Sequence, residues 1–388
     1  MDLSDLNDVL TATGPFVTVH VESESALEKA AEKYELTWRD VLSELESQGV
    51  DERTRTAVHD ARGEHSDGAS RLVVATTSDG VVRLAVPLAS TPPRRVVDVS
   101  PLPHLLPLID DVTTRVPHVV VLADHAGADV SAYYDSEHVA KQVTVKGHAP
   151  DIRKVAVGGW SHLRYQQRAE NGWEANAREV VDAVVDLAQQ VGAQLIVAAG
   201  EDRQLVLVAE HLPHGLKDSY LEVRGGRGQD GSEALVRRRV SDAVSRHVAT
   251  RTLDLLEGYA QERGQHKRAV DGLADVVEAL RKAQVETLLV ATDAPGYSTL
   301  FFGPEPTQLG TSAADLSALG VDDPQEGPMI DVLVRAALGT AADVQLVPHE
   351  MTTAPQGGVG AVLRYADAPA STGSEATGSE AAPSDTSA

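Results

Sequence analysis

The first part of the chain combines strand-like alternation of hydrophobic and polar residues with one stretch of helical spacing, which predicts an α/β domain over residues 1–115. Residues 16–21 alternate as a strand does, and residues 24–48 follow the period of a helix. Two further apolar runs, residues 71–76 and 81–86, flank an Asp-Gly pair that suits a tight turn, so they predict a hairpin.

A second block of periodicity predicts a domain over residues 116–266. It opens with a buried strand at 118–124, a turn and a return strand at 129–134. A long helix is expected from about Ser161 to Val191, because apolar residues recur on one face of it. These are Ala177, Val180, Val181, Val184, Leu187, Ala188 and Val191. After it we expect a strand at 194–199, an apolar run at 204–208 that fits strand or helix, and a second long helix from Ser232 to about Arg263.

Alternating helix and strand patterns continue to residue 367, which predicts a third, small α/β domain over residues 267–367. Its expected helices are 273–283 and 329–338, and its expected strands are 286–291, 298–302, 343–347 and 359–365. Residues 368–388 are rich in Ser, Thr, Ala, Pro and Gly with scattered acids, so we expect a disordered acidic tail. The fold class predicted is therefore a three-domain α/β protein.

Composition narrows the possible functions. The chain has no cysteine among its 388 residues, which excludes disulfides, thiol catalysis and cysteine-ligated zinc and is typical of a reducing cytoplasm. The N-terminus lacks the basic start and apolar core of a signal peptide, and no apolar run has the length of a membrane span. No P-loop or zinc-hydrolase motif is present. We therefore expect a cytoplasmic protein with no cofactor and no membrane partner.

One basic segment contrasts with an overall formal charge of −24. Between residues 141 and 168, six basic side chains and two histidines face a single acid, Asp151. The basic residues are Lys141, Lys146, Arg153, Lys154, Arg164 and Arg168. Such an island in an acidic protein predicts a site for a polyanion. Its centre contains Gly158 and Gly159, which favour a mobile loop tip.

The same segment carries a motif. Gly158-Gly159-Trp160-Ser161-His162-Leu163-Arg164-Tyr165, followed by a long helix, resembles the Gly-Gly-Gln loop of archaeal and eukaryotic class-1 release factors. Two more matches follow in the family's order. Residues 272–290 resemble the opening helix and strand of its third domain, and residues 357–365 resemble its closing Gly-Gly-Ile-Gly-Gly-Ile-Leu-Arg-Tyr strand.

This resemblance, over about residues 116–367, implies a release-factor-like central domain and a Pelota-like C-terminal domain. Among bacterial members of this superfamily are the Balon-type ribosome hibernation factors, to which the chain is similar. The resemblance implies binding in the ribosomal A site, with the central loop near the peptidyl-transferase centre, and partnership with elongation factor Tu. It implies ribosomal RNA, and not DNA, as the nucleic acid bound. The implied RNA-contacting residues are Lys141, Lys146, Arg153, Lys154, Gly158, Gly159, Trp160, His162, Arg164 and Arg168.

Trp160 is the main departure from the family pattern, because it stands where the release factors have glutamine. An indole has a single donor and no acceptor, so it is poorly suited to place a water against an ester. It is well suited to stack on a base. The chain also lacks the Asn-Ile-Lys-Ser and cysteine-containing motifs with which the family decodes stop codons. We therefore expect a non-enzymatic factor that protects or silences idle ribosomes under stress.

The sequence is also compatible with two other functions. One is a peptidyl-tRNA hydrolase used in ribosome rescue, and another is an interaction module that binds a basic protein through acidic faces. Trp160 alone is also compatible with a packed helix-entry turn. Four other features have a structural interpretation that we prefer to a functional one. They are Trp173 as a packing residue, Arg237–Arg239 as a solvated helix face, Arg224–Gln229 as a flexible loop, and Asp124, His125 and Asp129 as a polar hairpin tip.

Overall fold

The computed structural model describes most of the chain. The described residues are 6–23, 30–65, 68–92, 94–124, 126–135, 139–147, 160–226, 232–265, 268–292 and 298–366, with backbone alone at 160–171 and 232–233. Within these residues the protein is mixed α/β, as the sequence predicts, and its strands form four sheets.

The N-terminal sheet is antiparallel and has the order β3-β2-β1-β4. Its strands are β1 (Phe16–Glu22), β2 (Ser70–Thr76), β3 (Val81–Leu88) and β4 (Val96–Ser100). The predicted hairpin is confirmed, since β2 pairs with β3 in antiparallel register. Strand β1 is buried from Phe16 to Val21 because it lies between β2 and β4 and both of its faces are covered.

Four helices accompany this sheet: α1 (Asn7–Thr11), α2 (Ala30–Ser47), α3 (Glu52–Asp60) and α4 (Leu106–Thr114). The sequence pattern predicts only α2. Helix α3 is too short for a clear period, but it begins with a capping signal, because the Asp51 carboxylate accepts a hydrogen bond from the Thr54 amide at 3.0 Å. Trp38 and Leu45 of α2 are fully buried against the outer face of β1 and β2.

The central sheet has five strands in the order β7-β6-β5-β8-β9. They are β5 (His118–Asp124), β6 (Gly127–Tyr133), β7 (Val139–Lys146), β8 (Leu195–Gly200) and β9 (Tyr220–Glu222). Strands β5, β6 and β7 form an antiparallel meander, whereas β8 and β9 continue the sheet in parallel to β5. The predicted strand, turn and return strand at the start of this domain are confirmed.

Helices cover both faces of this sheet. On one face lie α5 (Trp160–Val191), α6 (Asp202–His211) and the short α7 (His214–Lys217). On the other face lies the first half of α8 (Ser232–Gly264). Successive side chains of β8 point to opposite faces of the sheet, which allows helices to pack on both. Ile196 and Ala198 pack towards α5, while Leu195 and Val197 pack towards α8. All seven residues predicted for the apolar face of α5 are buried, and the ambiguous run at 204–208 is helical.

The C-terminal part contains a sheet of order β10-β16-β11-β15 and a smaller one of order β13-β12-β14. The strands are β10 (Ala269–Asp271), β11 (Val285–Thr292), β12 (Thr299–Phe302), β13 (Leu309–Gly310), β14 (Gln325–Pro328), β15 (Asp343–Pro348) and β16 (Val359–Leu363). The helices are α9 (Leu273–Arg281), α10 (Ala313–Ala318) and α11 (Met329–Gly339). Every element predicted for this part from periodicity is present.

One hydrophobic cluster joins the two ends of the chain. It contains Phe16 and Leu108 from the N-terminal part together with Leu333 and Val344 from the C-terminal part. Helix α8 connects the central sheet to the C-terminal sheet, because its second half buries Leu256 and Tyr259 against Leu289 and Val347. No helix within the described residues is both long enough and apolar enough to cross a membrane.

Candidate nucleic-acid interface

The described part of the basic segment begins on β7, an edge strand of the central sheet. Lys141 and Lys146 are both exposed on this strand. The Lys141 ammonium donates a hydrogen bond to the Gln190 side chain of α5 at 3.0 Å, so its position is tied to the long helix. An exposed sheet edge that carries lysines discourages pairing with another strand and leaves positive charge for an anionic partner.

The end of β7 is fixed against the body of the domain. The amide of Gly147 donates to the carbonyl of Ala126 at 2.8 Å, in the turn between β5 and β6. A side chain at Gly147 would meet the buried Asn176 amide group of α5 at 2.6 Å, so this close approach requires glycine. The chain therefore leaves the sheet at a defined point beside α5 before it enters the Gly-Gly-Trp segment.

Helix α5 begins at Trp160 and is 32 residues long, which corresponds to about 48 Å along its axis. Its second half carries the buried apolar side chains that pack on the sheet, from Ala177 to Val191. His162, Arg164 and Arg168 lie on the backbone of its first half.

The predicted site residues other than Lys141 and Lys146 fall into two groups. Arg153, Lys154, Gly158 and Gly159 lie outside the described residues. For Trp160, His162, Arg164 and Arg168 the helical backbone is described and the side chains are not. The predicted RNA contacts at these positions stay predictions.

Trp173 lies further along α5 and is half-buried. The guanidinium of Arg203, from the first turn of α6, stacks over its ring at 4.5 Å from the centroid. A cation over an indole face is attractive, and this contact helps to fix α6 on α5. The geometry agrees with the packing interpretation of Trp173.

The hairpin tip between β5 and β6 is polar, as the sequence suggests. The Asp124 carboxylate accepts a hydrogen bond from the Ala126 amide at 2.7 Å, and the Asp129 carboxylate accepts one from the Thr144 hydroxyl at 2.8 Å. His125 lies outside the described residues. Among the residues that the structure does describe, no group of three or more His, Asp or Glu side chains could hold a metal ion.

Helix α8 carries further basic residues, which lie outside the Gly-Gly-Trp motif. Arg237 and Arg238 are exposed, as a solvated helix face would be. Arg246, two turns beyond Arg238, is also exposed. Arg246 lies eight residues from Arg238 and seven from Arg239, and this helical spacing is the signal in the sequence that groups it with them.

Comparison with known proteins supports the resemblance. Residues 117–265 match the model of the family described as bacterial archaeo-eukaryotic release factor family 2. The central part of the chain is release-factor-like. The matched residues run from the first strand of the central sheet to the end of α8, so they cover both long helices and the basic segment between them.

Individual proteins are similar to this chain over most of its length. An uncharacterised protein of Mycobacterium tuberculosis is 29% identical over 369 residues, which covers 92% of this chain and 95% of that protein. Among solved structures, Archaeoglobus fulgidus Pelota is 15% identical, with 76% of this chain and 79% of Pelota covered and a TM-score of 0.35. An archaeal translation termination factor is 15% identical, with 94% and 97% covered and a TM-score of 0.23. Structural alignments with TM-scores this low carry no information about the function of this chain.

Proposed function

We propose that this protein is a translation factor that binds the ribosome and occupies the A site of idle or stalled ribosomes. The observation that carries the proposal is the release-factor family match over residues 117–265, which includes a basic segment in a chain of formal charge −24. Local positive charge favours RNA phosphates, while the acidic remainder of the protein opposes indiscriminate coating of nucleic acid.

The chain's own residues have separate tasks in this proposal. Lys141 and Lys146 on β7, with Arg153 and Lys154 beyond it and Arg164 and Arg168 on α5, contact ribosomal RNA phosphates. Gly158 and Gly159 let the loop enter a narrow channel, and His162 follows it into the RNA. The length of α5 supports this role, because a helix of 32 residues, about 48 Å long, begins at Trp160, directly after the loop.

Trp160 makes the proposed factor non-hydrolytic. It stacks on a base or fills the space near the peptidyl-transferase centre, a contact worth ~1–3 kcal/mol for one base on one aromatic ring. It cannot accept a hydrogen bond from a water, so it does not help a water to attack the ester of peptidyl-tRNA. Elongation factor Tu is the proposed protein partner, on the resemblance of the chain to Pelota-type factors alone.

Charge reversal in matched pairs tests the docking surface. Two double variants, Lys141→Glu with Lys146→Glu and Arg153→Glu with Lys154→Glu, remove proposed phosphate contacts. The control is Lys217→Glu with Lys282→Glu, which makes the same charge change at exposed positions on α7 and at the end of α9. We expect each test pair to lower affinity for vacant 70S ribosomes about tenfold or more at low salt, because phosphate contacts dominate such binding.

The comparison is repeated at ~0.15 M salt, where the Debye length is about 8 Å. There the control pair should bind within about twofold of the wild type, because charges away from the interface are largely screened. Equal affinity of all three variants would refute the docking surface. Release of labelled peptide from a stalled complex, lost on substitution of Gly159, would instead support the rescue hydrolase.

A further inference from the structure

A second basic segment lies on α8, and its side chains are described. Between residues 234 and 253 the helix carries five arginines and one acid, Asp242. This local excess of positive charge stands in a chain with a formal charge of −24. Helix α8 covers the face of the central sheet opposite α5, so this segment is separate from the surface formed by β7 and α5.

Helical periodicity divides this part of α8 into two faces. The inner face is apolar and packs on the sheet; its members are Val236, Val240, Ala243, Val244 and Val248, which contact Leu195, Val197, Leu221 and Val223. On the outer side, Leu235, Arg239, Asp242, Arg246 and Leu253 follow one another at intervals of four, three, four and seven residues, so they share one face. Arg238 borders this face. We name Arg238, Arg239 and Arg246 the arginine stripe.

The fold does not use the arginine stripe for ion pairs. Within the described part of the chain, none of its three guanidinium groups is paired with a carboxylate, and the Nε of Arg239 has no hydrogen-bond acceptor. Other arginines of the protein are engaged internally. Arg263 pairs with Asp271 at 2.8 Å, and Arg281 donates to the carbonyl of Leu309 at 2.6 Å.

Exposed apolar side chains border the stripe at both ends. Leu235 is 46% exposed and Leu253 is 45% exposed, on the same face as Arg239 and Arg246. The surface is therefore a basic strip with an apolar residue at each end, and a single acid lies within it. Arg238 and Arg246 are exposed, and neither is needed for internal pairing, whereas Arg239 is half-buried and packs its Nε against the helix surface. Arg238 and Arg246 are therefore the members of the stripe that are most accessible to a partner.

We propose that the arginine stripe is a second RNA-binding surface of the central domain, which contacts the phosphates of a structured RNA on the side opposite α5. The planar guanidinium fork matches phosphate oxygens and keeps its charge at every physiological pH. Arg238 and Arg246 are two turns apart, about 12 Å along the helix, so they reach two different phosphates.

The inference rests on the proposed function only for the identity of the RNA as ribosomal. If the central domain enters a ribosome, α5 and the arginine stripe face opposite ways and contact two separate RNA segments. Two contacts on opposite faces fix the orientation of a domain, whereas one surface leaves it free to tilt. The stripe is thus an orienting contact, and the β7–α5 surface remains the one that carries the loop.

The test is a double variant, Arg238→Glu with Arg246→Glu, compared with the control pair Lys217→Glu and Lys282→Glu. Binding is measured against a labelled RNA hairpin and, separately, against vacant 70S ribosomes, each over a salt series. We expect the stripe variant to bind both RNAs at least about tenfold more weakly, and the slope of log affinity against log salt to fall by about one for each lost phosphate contact. The control should keep the wild-type slope.

The two arms separate this inference from the proposed function. Wild-type protein that binds the hairpin through the stripe but does not bind ribosomes would refute the proposed function and support the stripe. Ribosome binding that depends on the stripe, with hairpin binding unchanged, would show a protein contact and overturn the RNA proposal. Equal behaviour of the stripe variant and the control on both targets would also overturn it.

Folding of the stripe variant is checked by thermal unfolding. A neutral pair, Arg238→Gln with Arg246→Gln, replaces it if charge reversal destabilises α8. The neutral pair should still lower the salt slope by about two, because both phosphate contacts are lost in either variant. An unchanged slope in a folded neutral variant would refute the proposal.

Discussion

The imidazole Nδ1 of His104 lies 2.6 Å from a carboxylate oxygen of Asp331, although 227 residues separate the two along the chain. The other ring nitrogen, Nε2, lies 2.8 Å from the Asp98 carboxylate. Both nitrogens can donate to carboxylates only when the ring is protonated, so His104 is a cation held between two anions. This contact joins the N-terminal sheet to the first turn of α11, at the edge of their shared hydrophobic cluster.

The charge of His104 predicts a pH dependence of stability. Burial disfavours the charge, but hydrogen bonds and Coulombic attraction from Asp331 and Asp98 outweigh it and raise the pKa of His104 from 6.5 to about 9. Because the pKa is higher in the folded state than in the unfolded state, the ion pairs of protonated His104 add to the free energy of unfolding. This contribution is fully present below pH 6.5 and is lost as the pH rises through about 9. Thermal unfolding of the wild type should therefore show a falling midpoint over that interval.

His104→Gln is the variant that isolates this effect. It should lower the free energy of unfolding at neutral pH by on the order of 3 kcal/mol, the lower end for breaking a buried ion pair. The reason is that Asp331, whose pKa is already raised by burial, must then either stay charged without its cation or take up a proton. The variant should also flatten the pH profile between pH 6.5 and 9. A variant whose midpoint falls with pH as steeply as that of the wild type would contradict the assignment.

Gly360 belongs to the closing motif of the chain, and close packing explains why this position is a glycine. A side chain at this position would lie 2.5 Å from the Tyr259 hydroxyl of α8, which itself donates to the carbonyl of Val270. We expect Gly360→Ala to destabilise the protein by about 1–3 kcal/mol, as overpacking of a filled core does. Chemical denaturation measures the change.

Gly258, the neighbour of Tyr259 along the chain, provides the control. Gly258 lies on α8, and a side chain there would meet no atom within 4 Å. Gly258→Ala should therefore be neutral or stabilising by up to about 1 kcal/mol. Tyr259→Phe should relieve part of the cost of Gly360→Ala, so strict additivity of the two changes would argue against this contact.

Arg364, in the Leu-Arg-Tyr end of the same motif, links the ends of two helices. Its guanidinium donates to the carbonyls of Ala283, Thr340 and Ala341 at 3.0, 2.9 and 2.7 Å, just after α9 and α11. Arg364→Ala should cost about 1–2 kcal/mol, because it removes several charged donors from carbonyls at an exposed site. Arg364→Lys should recover less than half of that cost, since an ammonium cannot span all three acceptors. Equal stability of Ala and Lys variants with the wild type would contradict the role.

Trp160 offers a direct test of the proposed absence of hydrolysis. The wild type should release no labelled peptide from a stalled ribosome above the uncatalysed rate. Trp160→Ala should keep that inactivity but weaken ribosome binding by about 1–3 kcal/mol, the value of one stacked base. Peptide release by the wild type that is lost in Trp160→Ala would contradict the non-hydrolytic proposal.

Local pattern was sufficient to predict most of the elements. The apolar spacing of α5 predicted which side chains pack on the sheet, and the Asp-Gly turn predicted the hairpin of β2 and β3. Helix α3 was missed because nine residues show too little periodicity, although its Asp51 cap was a usable signal. The apolar run in α6 was ambiguous because five residues fit strand and helix equally well.

Long-range relationships were not accessible to the same reasoning. Nothing in the sequence near His104 or Asp331 marks them as partners, because a contact across 227 residues depends on how the two sheets pack together. The hydrophobic cluster shared by Phe16 and Leu333 has the same origin. For the candidate site, the motif predicted the loop followed by α5, whereas β7 was missed, because the basic residues 141–146 were assigned to the loop that follows the return strand at 129–134.

Co-sedimentation of the purified protein with vacant 70S ribosomes over a salt series tests the central claim most directly. If the protein docks on ribosomal RNA through its basic surfaces, binding should be strong at low salt and weaken by several orders of magnitude as salt rises, as binding through about six or more phosphate contacts does. Failure to bind at low salt, with and without elongation factor Tu, would contradict the proposed function.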